Sequence, residues 1–146
     1  MRSTAQSPSA TNWRAFRDRF LFCSVSEQID GLRAGVPACH LRGLAESLGV
    51  PQATVFRLVG ITPSAARRRI AHDSHLSITV SERAMEIGAI EKQAVAVFDC
   101  NKLAQEWLQT SNIGLGGVSP LSLLDTGLGK KEVARILSAI ELGGVA

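Results

Sequence analysis

Cysteine, histidine, glycine and arginine supply the residues of this chain whose types and spacing could do chemistry. Cys39-His40 pairs a nucleophile with a base, but neighbours in a helix or strand point apart, so the two cannot form a dyad. His72-Asp73-Ser74-His75 places two histidines three apart, yet no cysteine or second ligand pair accompanies them, and Asp-Ser between helices is ordinary turn chemistry. Gly114-x-Gly116-Gly117 lacks the preceding strand and the full spacing of a dinucleotide fingerprint and reads as a turn. With no paired carboxylates, nucleophile motif or P-loop, the expectation is a protein without catalytic residues, metal or cofactor. Arg67-Arg68-Arg69 remains, and three successive guanidinium groups suit a polyanion better than a reaction.

The distribution of charge supports that choice. Residues 1–76 hold ten arginines against five carboxylates, whereas residues 77–146 hold six basic against eight acidic side chains. A basic first half attracts nucleic acid, and an acidic second half has some other role. Cys23, Cys39 and Cys100 are odd in number and lack CxxC spacing, which fits a reducing cytoplasm. The opening MRSTAQSPSATNW has no apolar core for export, and no run approaches the ~18 apolar residues of a membrane span. Aromatic content is 5% with no tyrosine, while alanine and leucine are plentiful, so an all-α fold is expected.

Residues 1–11 offer little to bury and are expected to be a disordered N-terminus. From Asn12, a capping residue, Trp13, Phe16, Phe20 and Leu21 recur at helical spacing to about Phe22. Ser26, Ile29 and Leu32 begin a second short helix, which Gly35-Val36-Pro37 ends. Val80, Ala84, Ile87, Ile90, Ala94, Val97 and Phe98 follow one long helical pattern with Ser81 or Thr79 near its start. Gly88 in its middle costs about 1 kcal/mol relative to alanine, which implies a close crossing or a break.

Between Ala38 and Ala71, Gly49-Val50-Pro51 and Gly60-Ile61-Thr62-Pro63 separate three helical patterns in the manner of a helix-turn-helix. Two registers compete. In one, Leu44, Ala45, Leu48, Val55 and Leu58 are buried and the helix from Gln52 reads DNA. In the other, Val55, Val59, Ile61, Ala66 and Ile70 are buried, and Pro63–Ala71 enters the groove. The small Ala45 at a packed position favours the first, against the large Phe56 in the second. The arginines on the Pro63 helix favour the second.

Leu103 to Val145 contains the most ordered run of signals. Trp107 and Leu108 close one apolar helical face, Val133, Ile136, Leu137 and Ile140 form another, and Ser119-Pro120 reads as a cap and first helical position over Leu121, Leu123 and Leu124. Trp107-Leu108, Asn112, Leu115-Gly116-Gly117, Pro120-Leu121-Ser122-Leu123-Leu124, Asp125-Thr126 and Ile140-Glu141-Leu142-Gly143, in that order, resemble the toxin-binding domain of the Xre/MbcA/ParS antitoxins. GVP…LAESLGVPQATVFRLVGITPSAARRRI is similar to the Cro-type unit attached to them, and this resemblance selects the second register.

The resemblance implies a fold and a function. Residues 12–78 would be the Cro-type helix-turn-helix domain and 79–146 a small helical toxin-binding domain. The chain would be an antitoxin that blocks a RES-type, NAD-consuming toxin and autorepresses its operon at promoter DNA, as a homodimer in a higher-order complex with the toxin. Thr62, Ser64, Ala65, Arg67, Arg68, Arg69 and Gln52 would face DNA: Ser64, Ala65 and Arg68 the base edges, Arg67, Arg69 and Gln52 the phosphates. The toxin side would be the final helix and tail, with Lys130, Lys131, Arg135, Glu141, Leu142, Gly143, Gly144, Val145 and Ala146. Trp107, Pro120 and Leu124 would hold that domain together. A stand-alone regulator with a C-terminal sensor domain is the alternative, disfavoured because Ala89 to Ala146 is short for a ligand-enclosing helical pocket.

Overall fold

A computed structural model describes residues 7–143. Among them all regular structure is helical: α1 (Pro8–Phe22), α2 (Val25–Ala34), α3 (His40–Leu48), α4 (Gln52–Val59), α5 (Pro63–Ala71), α6 (Ile78–Phe98), α7 (Asn101–Gln109) and α8 (Gly127–Glu141), with 3-10 turns at Ile113–Leu115 and Pro120–Leu123. The expected all-α class holds. The described residues group into two compact units that meet between Met85 and Glu86, within α6.

Cap and proline pairs set several helix starts. Ser7-Pro8, Thr62-Pro63 and Ser119-Pro120 each place a hydroxyl that accepts a backbone N–H three residues on, followed by a proline whose missing N–H costs nothing there. The first pair moves the start of α1 to Pro8, so residues 8–11 are helical rather than disordered; residues 1–6 lie outside the described residues. Ser24 caps α2, which includes Ser26, Ile29 and Leu32 as expected. At α6 the cap is Ser77, whose Oγ accepts from Val80 N at 3.2 Å. Gly88 is buried and α6 runs through it unbroken.

In the first unit α1 lies on α3. Trp13 is fully buried, and Gly43 makes room for it: a Cβ there would stand 2.6 Å from Trp13 Cβ and 2.4 Å from the Ser9 carbonyl. Leu41, Leu44, Leu48, Val55, Phe56, Leu58 and Val59 complete this core. The chain closes on Ser81, whose buried hydroxyl accepts from Val36 N at 2.9 Å and donates to the Leu76 carbonyl at 3.4 Å.

In the second unit α7 packs on the Pro120 turn, and α8 on both 3-10 turns. Ile87, Ile90, Ala104, Leu108, Leu124, Val133 and Leu137 are buried. Gln93 Nε2 donates to the Ala134 carbonyl at 3.2 Å and to Ser138 Oγ at 3.0 Å, tying α6 to α8. Trp107 is half-buried against Phe98, ring centroids 5.6 Å apart, and Pro120 and Leu124 are buried, as expected of residues that hold the unit together.

Candidate DNA-facing helix and partner-facing surface

The turn before α5 depends on Gly60, which adopts φ +76° and leaves the Val59 carbonyl open to Arg83, whose Nη1 donates to it at 3.3 Å. Arg83 was not legible as a functional residue, because its partner is a helix-end carbonyl 24 positions away. Thr62 Oγ1 then accepts from Ala65 N at 3.2 Å and starts α5. Only Ala66 of α5 is buried. A helix held by one buried alanine and two turns presents most of its circumference outward, as a groove-entering helix must.

Ser64, Arg67 and Arg68 are exposed on α5, and Ala65 is half-buried. Arg69 is placed differently. Its Nη1 donates to the His75 carbonyl at 2.7 Å, closing the turn after α5 rather than reaching outward. Gln52 is half-buried at the first position of α4, behind an extended Pro51. Phe56, doubtful by size, is buried among the leucines of the first unit, so its bulk is accommodated.

The second unit presents two features. The final helix carries Lys131, Arg135, Glu141 and Leu142 outward, and Leu142 is 88% exposed. Arg135 Nη2 pairs with Glu132 at 3.0 Å. Gly143 adopts φ +88° at the helix end, and Gly144, Val145 and Ala146 lie outside the described residues. Lys130 differs from these. It is 7% exposed, and its ammonium pairs with Glu86 at 3.3 Å, because the helical phase of Val133 and Leu137 turns it inward.

The other feature escaped sequence reasoning. A groove of about 380 Å³ runs beside the N-terminal end of α8, lined by Gly114, Leu115, Leu123, Thr126, Leu128, Gly129 and Glu132, with Leu128 exposed. Buried Asn112 shapes one wall: its Oδ1 accepts from Gly114 N at 2.8 Å, while its backbone pairs with Val118 and Gly117. Gly129 shapes the other, since a Cβ there would stand 1.9 Å from the Leu123 carbonyl. The available signal was that Leu128 falls outside the apolar phase of α8.

Cys39 is exposed, and the His40 ring stacks on Phe16 with centroids 4.3 Å apart. Burial, followed by the positive charge of Arg19, lowers the His40 pKa, so the imidazole is neutral at pH 7. Among the described residues no helix is long and apolar enough to cross a membrane.

A helix-turn-helix in one unit and a glycine-looped helical domain in the other make this a two-part protein. Residues 27–87 match the Antitoxin Xre-like helix-turn-helix domain, and residues 93–143 match the Antitoxin Xre/MbcA/ParS C-terminal toxin-binding domain. The chain belongs to the Xre/MbcA/ParS antitoxin family. It is 30% identical to an Antitoxin Xre of Yersinia enterocolitica over 79% of this chain and 78% of that one. It is also 28% identical to a Prs ADP-ribosylating antitoxin of Sphingobium sp. over 84% and 83% of the two chains, and 27% identical to an Antitoxin Xre of Photorhabdus laumondii over 79% and 78%.

Proposed function

We propose that this antitoxin blocks a RES-type, NAD-consuming toxin with its second unit and represses its own operon with α5. The observation that carries the toxin half is the end of α8: after buried Leu137 the helix presents Glu141 and Leu142 to solvent, within the region that matches the toxin-binding domain. An exposed leucine followed by a glycine turn suits a tail that enters a cleft on a partner. Blocking is then steric, with Leu142 and the residues after it occupying the toxin's active-site mouth and Glu141 meeting basic groups there. Lys131 and Arg135 flank the same helix, whereas Lys130 acts indirectly by fixing α8 to Glu86. The name of the Sphingobium relative attaches such an antitoxin to ADP-ribosylation, a chemistry whose donor is NAD.

The DNA half rests on the exposure of α5. Thr62 accepts from Ala65 N and Pro63 has no N–H, so Ser64 N is left for a phosphate, while exposed Ser64 and Arg68 side chains are the ones we assign to base edges. Arg67 contacts phosphate, while Arg69 holds the turn that positions the helix. Two copies bind paired half-sites and assemble with toxin into a larger complex.

Co-expression with the product of the neighbouring reading frame, followed by size-exclusion chromatography and an NAD-loss assay, tests the toxin half. A co-eluting pair with NAD consumption suppressed supports it. A neighbour that neither binds nor consumes NAD refutes it.

A further inference from the structure

A hollow of about 380 Å³ opens in the first unit where α1 passes the start of α3. Ser9, Asn12, Phe16 and Arg19 line it from α1 at i, i+3, i+7 and i+10, which is one stripe of a helix. The stripe runs about 15 Å along the helix axis. His40 in the first turn of α3, with the Cys39 cap before it, closes the other side.

The lining is zoned along that stripe. At its centre the Phe16 ring and the His40 imidazole stack, with centroids 4.3 Å and planes 27° apart. This wall is flat and, because the imidazole is neutral at pH 7, uncharged. One turn toward the end of α1, Arg19 is exposed, and its charge reaches His40. One turn the other way, exposed Asn12 offers an amide donor and acceptor, with the Ser9 hydroxyl beyond it. Among the lining residues Arg19 is the only charged side chain, and none is a carboxylate.

Each zone narrows the ligand. An unopposed guanidinium selects an anion, and phosphate in particular suits its planar fork. The aromatic wall selects a flat ring, and Asn12 selects a ring edge that both donates and accepts. An aromatic amino acid would bring an ammonium group that finds no carboxylate in the lining. Inorganic phosphate would leave the aromatic wall uncovered, and a duplex keeps its bases inside the stack. A mononucleotide brings base edge, base and phosphate in the order of Asn12, Phe16 and Arg19.

We propose that this hollow binds a nucleoside monophosphate, with its base on the Phe16–His40 wall, the base edge on Asn12 and Ser9, and the phosphate on Arg19. The site uses none of the residues assigned to operator or toxin, so it stands or falls independently of both.

Cys39 is exposed in the lining and reports occupancy. The full chain is alkylated with iodoacetamide in the presence of AMP, GMP, CMP or UMP at millimolar concentration, and each cysteine is followed by peptide mass spectrometry. At least one nucleotide is expected to slow labelling of Cys39 several-fold and to leave Cys23 and Cys100 unchanged. Removing the phosphate from the ligand, or replacing Arg19→Gln, is each expected to raise the half-protecting concentration about tenfold, as loss of a hydrogen bond to a charged group does. Equilibrium dialysis with the same nucleotide is expected to give the same order of affinities without recourse to the thiol. Failure of all four nucleotides to protect Cys39 and to be retained in dialysis overturns the proposal. So does protection that R19Q leaves undiminished or that inorganic phosphate matches. Protection by a single-stranded oligonucleotide alone would overturn it in favour of a nucleic-acid surface.

Discussion

The Arg83 guanidinium donates to the Val59 carbonyl at 3.3 Å across Gly60, in the space a side chain at position 60 would take: a Cβ there would stand 2.3 Å from Arg83 Nη1. Gly60 at φ +76° makes the turn, and Arg83 from α6 satisfies the helix end that the turn exposes. Gly60→Ala is expected to cost about 1–3 kcal/mol in urea unfolding, through left-handed backbone strain and loss of the Arg83 bond. Gly60→Asn should cost less, because asparagine tolerates that conformation. Equal losses would mean that the Arg83 contact, not the backbone, sets the turn.

Replacing Arg67 and Arg68 together by alanine should weaken operator binding about tenfold or more and lower the slope of log affinity against log salt by roughly 1–2. Fluorescence anisotropy across a salt series reads both, and toxin binding should be unchanged. Arg69→Ala should instead lower the unfolding midpoint, since its bond to the His75 carbonyl closes the turn. Full operator retention by the double variant would exclude α5 as the reading helix.

Deleting Leu142 to Ala146 should release toxin activity while leaving the melting temperature of the antitoxin nearly unchanged. Leu142 is 88% exposed and the last buried side chain of α8 is Leu137, so the helix keeps its described core without Leu142. An NAD-loss assay with the truncated chain decides it, and complete protection would rule out the blocking tail.

Gly129→Ala should be strongly destabilising. Its Cβ would meet the Leu123 carbonyl at 1.9 Å, a backbone atom that cannot swing aside, and forcing the elements apart is expected to cost ~3 kcal/mol or more. Gly127→Ala meets nothing within 4 Å and should be neutral. Thermal unfolding of the two variants side by side measures the difference.

His40 makes stability depend on pH. Its folded pKa lies below 6.5 because burial disfavours the charged ring, so on acidification the unfolded chain takes up its proton first. This contribution is fully present above about pH 6.5 and is lost as pH falls through the folded value. Urea midpoints between pH 7.5 and 5 should therefore fall more steeply for wild type than for His40→Gln. Parallel curves would place the acid sensitivity elsewhere.

Cap chemistry and apolar spacing made most of the helices legible, and errors arose where two caps lay close together. Ser7-Pro8 has the same signature as Thr62-Pro63, yet it sits in a polar stretch whose composition suggested disorder; tertiary burial of Ala10 and Trp13 is what makes it helical. The arginine run suggested a polyanion partner, whereas the bond of Arg69 to a carbonyl beyond the helix end could not be read from it. Lys130 and the groove at Leu128 followed from the phase of α8, which the charge of one and the exposure of the other obscured.

The matched helix-turn-helix domain starts at residue 27, whereas α1 ends at Phe22. Gly43 on α3 is shaped to receive Trp13 from outside that match. A fragment cut at the matched boundary would thus carry a vacant, tryptophan-sized hollow beside Gly43 and His40, and its solubility would report the missing lid instead of the merits of the domain. The smallest piece of this protein worth expressing for its first unit therefore includes α1 from the Ser7 cap onward.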